Sequence, residues 1–150
     1  MKKVIITGGN SGIGYQAAKQ LAEKGWSVTL FCRREEAAQQ ACEKIRQQTG
    51  NPHLDYILVD LSEMRSIKKA VEQYIHKEET LDVLINNAAD FDLSIQSPVI
   101  TKDGLEKQFA TNVVAPFLLS TLLKGLLEKS ETGRIINISS QGLMLYPFMK

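Results

Sequence analysis

The chain has 150 residues, 43% of them apolar, enough for one globular domain with its own core. Its 18 basic and 17 acidic side chains leave a net charge of +1 with no long run of one sign, so no nucleic-acid-binding stripe is expected. Charges interrupt every apolar stretch before the roughly 18 residues a membrane span needs, and Met1-Lys2-Lys3 leads straight into a strand pattern, which points to a cytoplasmic protein. Cys32 and Cys42 lack metal-ligand spacing and read as reduced thiols, while the isolated His53 and His76 read as solvated surface residues.

The first strand is Val4-Ile5-Ile6, followed by Thr7-Gly8-Gly9-Asn10-Ser11-Gly12-Ile13-Gly14. Gly8, Gly12 and Gly14 remove side chains where the chain must turn off a strand and let a ligand approach the backbone. A helix follows, with Ile13, Ala17, Leu21 and Ala22 at helical spacing up to a capping Gly25. Its first amides lack intrahelical partners at the positive end of the helix dipole, so the stretch reads as a phosphate cradle.

The second strand is Val28-Thr29-Leu30-Phe31, and residues 36–48 form a helix with Ala38, Ala41, Cys42 and Ile45 on one face, closed by Gly50-Asn51-Pro52. Tyr56-Ile57-Leu58-Val59 is the third strand. Ser62 is the expected N-cap of a third helix whose buried stripe is Ile67, Ala70, Val71, Tyr74 and Ile75. Val83-Leu84-Ile85 is the fourth strand. Residues 102–110 read as a short helix and 113–127 as a longer one, apolar around much of its circumference, with Pro116 marking a kink or a first turn. Ile135-Ile136-Asn137-Ile138 is the fifth strand.

Short continuous apolar strands alternating with helices are the pattern of a parallel sheet buried on both faces. The fold class is α/β, a Rossmann-type doubly wound sheet in three α/β/α layers. The expected strand order is 3-2-1-4-5, with ligands outside the carboxyl ends of the strands. Residues 1–150 read as one domain, without internal repeats or a disordered linker.

Thr7-Gly8 with Gly12-Ile13-Gly14, Asp60-Leu61 after the third strand, Asn86-Asn87-Ala88-Ala89 after the fourth, Asn112, and Ile138-Ser139-Ser140 stand in one order. This series resembles the cofactor-binding part of the short-chain dehydrogenase/reductase family, along the whole chain. Thr101-Lys102-Asp103-Gly104-Leu105-Glu106, leading to Asn112, further resembles its retinol dehydrogenase-like branch. The resemblance implies a dinucleotide held by Gly8, Asn10, Ser11, Gly12, Ile13, Gly14, Asp60, Leu61, Asn87, Ala88 and Ala89. Asp60 would accept from the adenine amino group, the alternative being a charge at a helix N-terminus. The family usually has Gly at the position of Ala89, and Ala keeps the close approach if its φ is negative.

Where NAD enzymes place an acid after the second strand, this chain has Cys32, then Arg33 and Arg34. A guanidinium fork suits a 2′-phosphate, which favours NADP(H) and leaves NAD(H) as the lesser choice. The alternative is that both arginines are solvated and paired with Glu35 or Glu36.

The resemblance also implies hydride transfer between nicotinamide and a small-molecule carbonyl or alcohol, lipophilic in character. Ser140 would hydrogen-bond the substrate oxygen and Asn112 would support a proton-relay water, with Ser139 and Asn137 structural. Ser140 has a second reading as a strand-end cap. The family's catalytic Tyr and Lys are expected beyond Lys150. Tyr15 with Lys19 and Tyr146 with Lys150 carry the right spacing, but the first pair opens the cofactor helix and Pro147 interrupts the second. The apolar stretch Leu143-Met144-Leu145-Tyr146-Pro147-Phe148-Met149 and an uncovered fifth strand suggest an N-terminal piece of a longer reductase. Family members pair through the helix matching 113–127, which implies a homo-oligomer, although one subunit can bury the same face. The rival reading is a dinucleotide-binding module without redox activity, favoured by the missing Tyr and Lys helix and opposed by Asn112 and Ser140.

Overall fold

The computed structural model describes residues 1–91 and 97–140. Five parallel strands form one sheet in the order β3-β2-β1-β4-β5, the expected topology. They are β1 (Lys3–Thr7), β2 (Ser27–Cys32), β3 (Leu54–Leu58), β4 (Val83–Asn86) and β5 (Arg134–Asn137). The central register pairs Ile5 with Thr29 on one side and with Leu84 on the other, so β1 is hydrogen-bonded along both edges.

Side chains alternate across the sheet, so each of the strands β1 to β4 serves two cores. Val4 and Ile6 face α1 (Gly12–Glu23) and α2 (Glu35–Thr49), meeting Ala18, Ala22, Ala38, Cys42 and Ile45. Ile5 and Leu84 face the other way, toward Ile67, Val71 and Tyr74 of α3 (Met64–Lys77) and Leu119 of α5 (Ala115–Leu122). Phe31 and Tyr74 meet edge to face, with ring centroids 6.4 Å apart.

Asp82, just before β4, joins the amino ends of three strands. Its carboxylate accepts from the Lys3 amide at 2.7 Å, Ser130 Oγ at 2.6 Å and Thr132 Oγ1 at 3.3 Å. Its own carbonyl accepts from the Arg134 amide at 2.9 Å. Burial pushes the carboxyl up, but these hydrogen bonds outweigh it and hold the group below the usual carboxylate range.

Several local expectations need correction. Ser62 does not cap the third helix: α3 starts at Met64 with Glu63 at the N-cap, and the Met64 amide donates 2.8 Å to Asp103 from a distant turn. Ile75 is 45% exposed, because Ile67, Val71 and Tyr74 already fill the face turned to the sheet. Residues 102–106 are not helical. They form a turn in which Gly104 N–H donates to the Thr101 carbonyl, and Glu106 then caps α4 (Lys107–Phe109) by accepting from the Gln108 and Phe109 amides.

A π-helical turn, Ala110–Val114, links α4 to α5, and Leu123 separates α5 from α6 (Lys124–Glu128), so the expected single helix over 113–127 is three pieces. Pro116 sits in the first turn of α5, directly after the π-helical turn. Leu119, Leu123, Leu126 and Leu127 are buried, whereas Phe117 is 72% exposed, so this helix is covered on one side rather than on several. Every residue of β5 is exposed. No helix of the described residues is long and apolar enough to cross a membrane.

Candidate functional site

The carboxyl ends of β1 and β4 are stitched together by one buried threonine. Thr7 Oγ1 accepts from the amides of Asn87 at 2.9 Å and Ala88 at 3.0 Å. Asn87 Nδ2 returns a bond to the Thr7 carbonyl at 3.0 Å. Gly8 then turns the chain with φ +64°, a left-handed conformation that would strain any other residue, and its N–H donates to the Phe31 carbonyl at 2.9 Å. Gly14 has a different reason: a Cβ there would lie 2.6 Å from the Gly8 carbonyl oxygen and 2.5 Å from Asn87 Nδ2. Close packing of α1 on the loop therefore requires glycine. Ser11 occupies the N-cap of α1 without capping it through its side chain, and the first turn carries no acid, so the amide end stays electropositive.

The end of β2 supplies charge. Cys32 is buried and its thiol is pushed up to about 11 by burial, so it is neutral. Arg33 and Arg34 are exposed, and neither guanidinium has an ion-pair partner among the described residues. The acids beside them are engaged elsewhere, Glu35 by Tyr56 Oη at 3.4 Å and Glu36 by Gln40 Nε2 at 3.5 Å.

Past β3, Asp60 folds over its own turn, accepting from the Ser62 amide at 2.9 Å and Ser62 Oγ at 2.7 Å. Burial raises its pKa, but the Ser62 bonds, followed by the charges of Arg33 and Lys107, bring it below the ordinary value. Past β4, Asp90 pairs with Lys107 Nζ at 2.9 Å. Asn112, in the π-helical turn, holds the Asp90 backbone from both sides: the Asp90 amide donates to Asn112 Oδ1 and Asn112 Nδ2 donates to the Asp90 carbonyl, each at 2.7 Å.

These strand ends enclose a cleft of about 300 Å³. Of the residues singled out in the sequence, Gly8, Asn10, Ser11, Arg33, Arg34, Asp60, Leu61, Ala88 and Ala89 line it. Gly12, Ile13, Gly14 and Asn87 do not; Gly14 and Asn87 brace the loop from behind, and Ile13 is 70% exposed. Asn112 and Ser140 are also outside the lining, and among the described residues Asn112 reaches the cleft through Asp90. Ala89 keeps a negative φ, since no described residue other than glycine has a positive one.

Phe31, Cys32, Val59, Ser62, Asp90, Lys107 and Thr111 complete the wall beyond the residues singled out for it. Lys107 and Thr111 are four apart on one helical path, a spacing that was available as a signal. Tyr15 and Lys19 are turned away, the hydroxyl to Gln48 at 3.2 Å and the ammonium to Glu23 at 2.7 Å. Tyr146, Lys150 and the apolar stretch 143–149 lie outside the described residues.

The model of the short chain dehydrogenase family matches residues 2–149. Among curated proteins, the chain is 41% identical over 141 residues to bovine (Bos taurus) dehydrogenase/reductase SDR family member 12, covering 94% of this chain and 43% of that protein. It is 42% identical over 140 residues to mouse (Mus musculus) retinol dehydrogenase 13, covering 93% and 41%. A metagenomic short-chain oxidoreductase solved in complex with NADP superposes with a TM-score of 0.80 at 27% identity, over 93% of this chain and 61% of that one. The chain thus spans about two fifths of the length of these curated relatives.

Proposed function

The chain belongs to the short chain dehydrogenase family, and from that premise we propose that it forms the NADP(H)-binding half of an oxidoreductase acting on a carbonyl or alcohol. The observation that carries the cofactor choice is the pair of guanidiniums, Arg33 and Arg34, lining the cleft with no acid bound to either among the described residues. A 2′-phosphate supplies the bidentate acceptor that such groups lack here, while a bare ribose does not.

The remaining walls suit the rest of a dinucleotide. Gly8, Asn10 and Ser11 lead into the uncapped amide end of α1, which favours a pyrophosphate without a dedicated cation. Asp60 and Leu61 offer an acceptor and an apolar edge to the adenine, and Ala88 and Ala89 are small enough for close approach. Gly12, Ile13, Gly14 and Asn87 set the shape of the cradle from outside the cleft.

NADP(H) supplies hydride chemistry when bound. Ser140, after β5, is assigned to the substrate oxygen. Asn112 is assigned to positioning, since its amide fixes the Asp90 peptide at the cleft wall. The retinol named in the mouse relative, together with the Thr101–Glu106 turn of the same branch, supports a lipophilic alcohol or aldehyde.

Calorimetric titration of the purified chain with NADPH and with NADH tests the cofactor assignment. NADPH is expected to bind roughly tenfold or more tightly than NADH. Equal affinities remove the role given to Arg33 and Arg34.

A further inference from the structure

Asp90 places a carboxylate in the wall of a cleft assigned to an anionic ligand, next to Ala88 and Ala89. Left alone, that charge would repel the phosphates of a dinucleotide, and the partly desolvated setting would strengthen the repulsion. The structure answers it with Lys107, whose Nζ lies 2.9 Å from Asp90 Oδ2, the two side chains being only 30% and 21% exposed.

Lys107 is itself well anchored. It begins α4, directly after the Glu106 cap, and its backbone N–H donates 2.8 Å to the Val99 carbonyl. Five residues on, Asn112 grips the Asp90 peptide at both its amide and its carbonyl. One helical stretch therefore holds Asp90 at three points, two fixing the backbone and one neutralising and aiming the carboxylate.

We propose that Lys107 is a positioning residue of the cofactor cleft, acting through Asp90 to present a neutral, fixed wall to the dinucleotide. This rests on the dinucleotide reading above. It differs from the role given to Arg33 and Arg34, which would touch the ligand directly. Removing Lys107 alone leaves the partly buried Asp90 carboxylate uncompensated, whereas removing both charges leaves no such group at that position, and Asp60 keeps its Ser62 hydrogen bonds in either case.

The test is a cycle of NADPH dissociation constants in the full chain, with Lys107→Met, Asp90→Asn, the double variant and Lys107→Arg. Lys107→Met is expected to weaken NADPH roughly tenfold, Lys107→Arg to keep it within about threefold of the parent, and Asp90→Asn, which leaves the Lys107 charge unpaired beside an anion, to tighten it by about threefold. The double variant is expected to recover to within about threefold as well. A double variant as weak as Lys107→Met would place Lys107 on the ligand itself and overturn the proposal, as would a Lys107→Met protein that binds normally. A purely structural role would lower the unfolding midpoint of Lys107→Met without changing its affinity, so both are measured on each protein. Should Lys107→Met not fold, Lys107→Gln carries the same cycle. A parent chain that binds no NADPH defeats the dinucleotide reading and this inference with it, whereas normal parent binding with a flat cycle defeats only this one.

Discussion

Replacing Gly14 by alanine probes the contact on which the loop geometry depends. The new methyl would sit 2.6 Å from the Gly8 carbonyl oxygen and 2.5 Å from Asn87 Nδ2. The Asn87 amide can swing, but only by giving up its bond to the Thr7 carbonyl at 3.0 Å, which contributes about 1 kcal/mol. The Gly8 oxygen cannot move without shifting the loop, and overpacking of this kind costs about 1–3 kcal/mol. Against this, alanine in a helix gains at most about 1 kcal/mol over glycine. The net expectation is a loss of about 1–3 kcal/mol, together with weaker NADPH binding because the same shift displaces Gly8. Urea unfolding followed by circular dichroism, with an NADPH titration on the same samples, measures both. A Gly14→Ala protein as stable as the parent and equal in affinity would refute the close-packing argument.

Other outcomes follow from the same geometry. Arg33→Ala is expected to weaken NADPH about tenfold while leaving NADH within about twofold, read by competitive titration. Asp82→Ala is expected to lose about 1–3 kcal/mol in urea unfolding at neutral pH, since three donors to a carboxylate are left without it. Because the folded-state pKa of Asp82 is depressed, its contribution is complete above about pH 4 and is lost as pH falls through the lower folded value. The variant is therefore expected to show a shallower acid limb than the parent. Burial pushes Cys32 to about 11 and Cys42 to about 12, so a thiol reagent at pH 8 is expected to label neither in the native chain and both in urea. Rapid native labelling would contradict the buried placement of these thiols.

The strands β1 to β4 were legible because helices cover both of their faces, which makes each a short apolar run, and their order followed from right-handed crossovers with the glycine loop after the first strand. The cradle was legible for a similar reason: Gly8 and Gly14 are demanded by a backbone angle and a close contact, and these constraints leave their mark on residue type. Helix starts were less readable. Ser62 has the side chain of an N-cap, but its hydroxyl and amide both go to Asp60, and the amide end of α3 is met by Asp103 from 39 residues away. Residues 102–110 read as one short helix, yet the first part of that stretch is a turn set by hydrogen bonds between Thr101, Gly104 and Leu105.

The cleft wall formed by Asp90 and Lys107 escaped the sequence because an ion pair between a loop and a distant helix start leaves no periodicity. Its only trace is the spacing of Lys107 to Thr111 on one helical path, which becomes informative once the cleft is known. Arg33 and Arg34 were readable as a pair, but only the structure shows that Glu35 and Glu36 are taken by Tyr56 and Gln40. The tripartite course of residues 110–128 was hidden as well, since Asn112 binding to the Asp90 backbone and the π-helical turn around it involve positions 22 residues apart.

The central claim is that the carboxyl ends of β1 to β4 form one NADP(H) cleft. Backbone amide NMR of the chain during titration with NADPH tests it most directly. Shifts are expected to concentrate at Gly8, Asn10, Ser11, Arg33, Arg34, Asp60 to Ser62 and Ala88 to Asp90, saturating together with one dissociation constant. Shifts confined to the exposed β5 edge, or none at saturating NADPH, would contradict it.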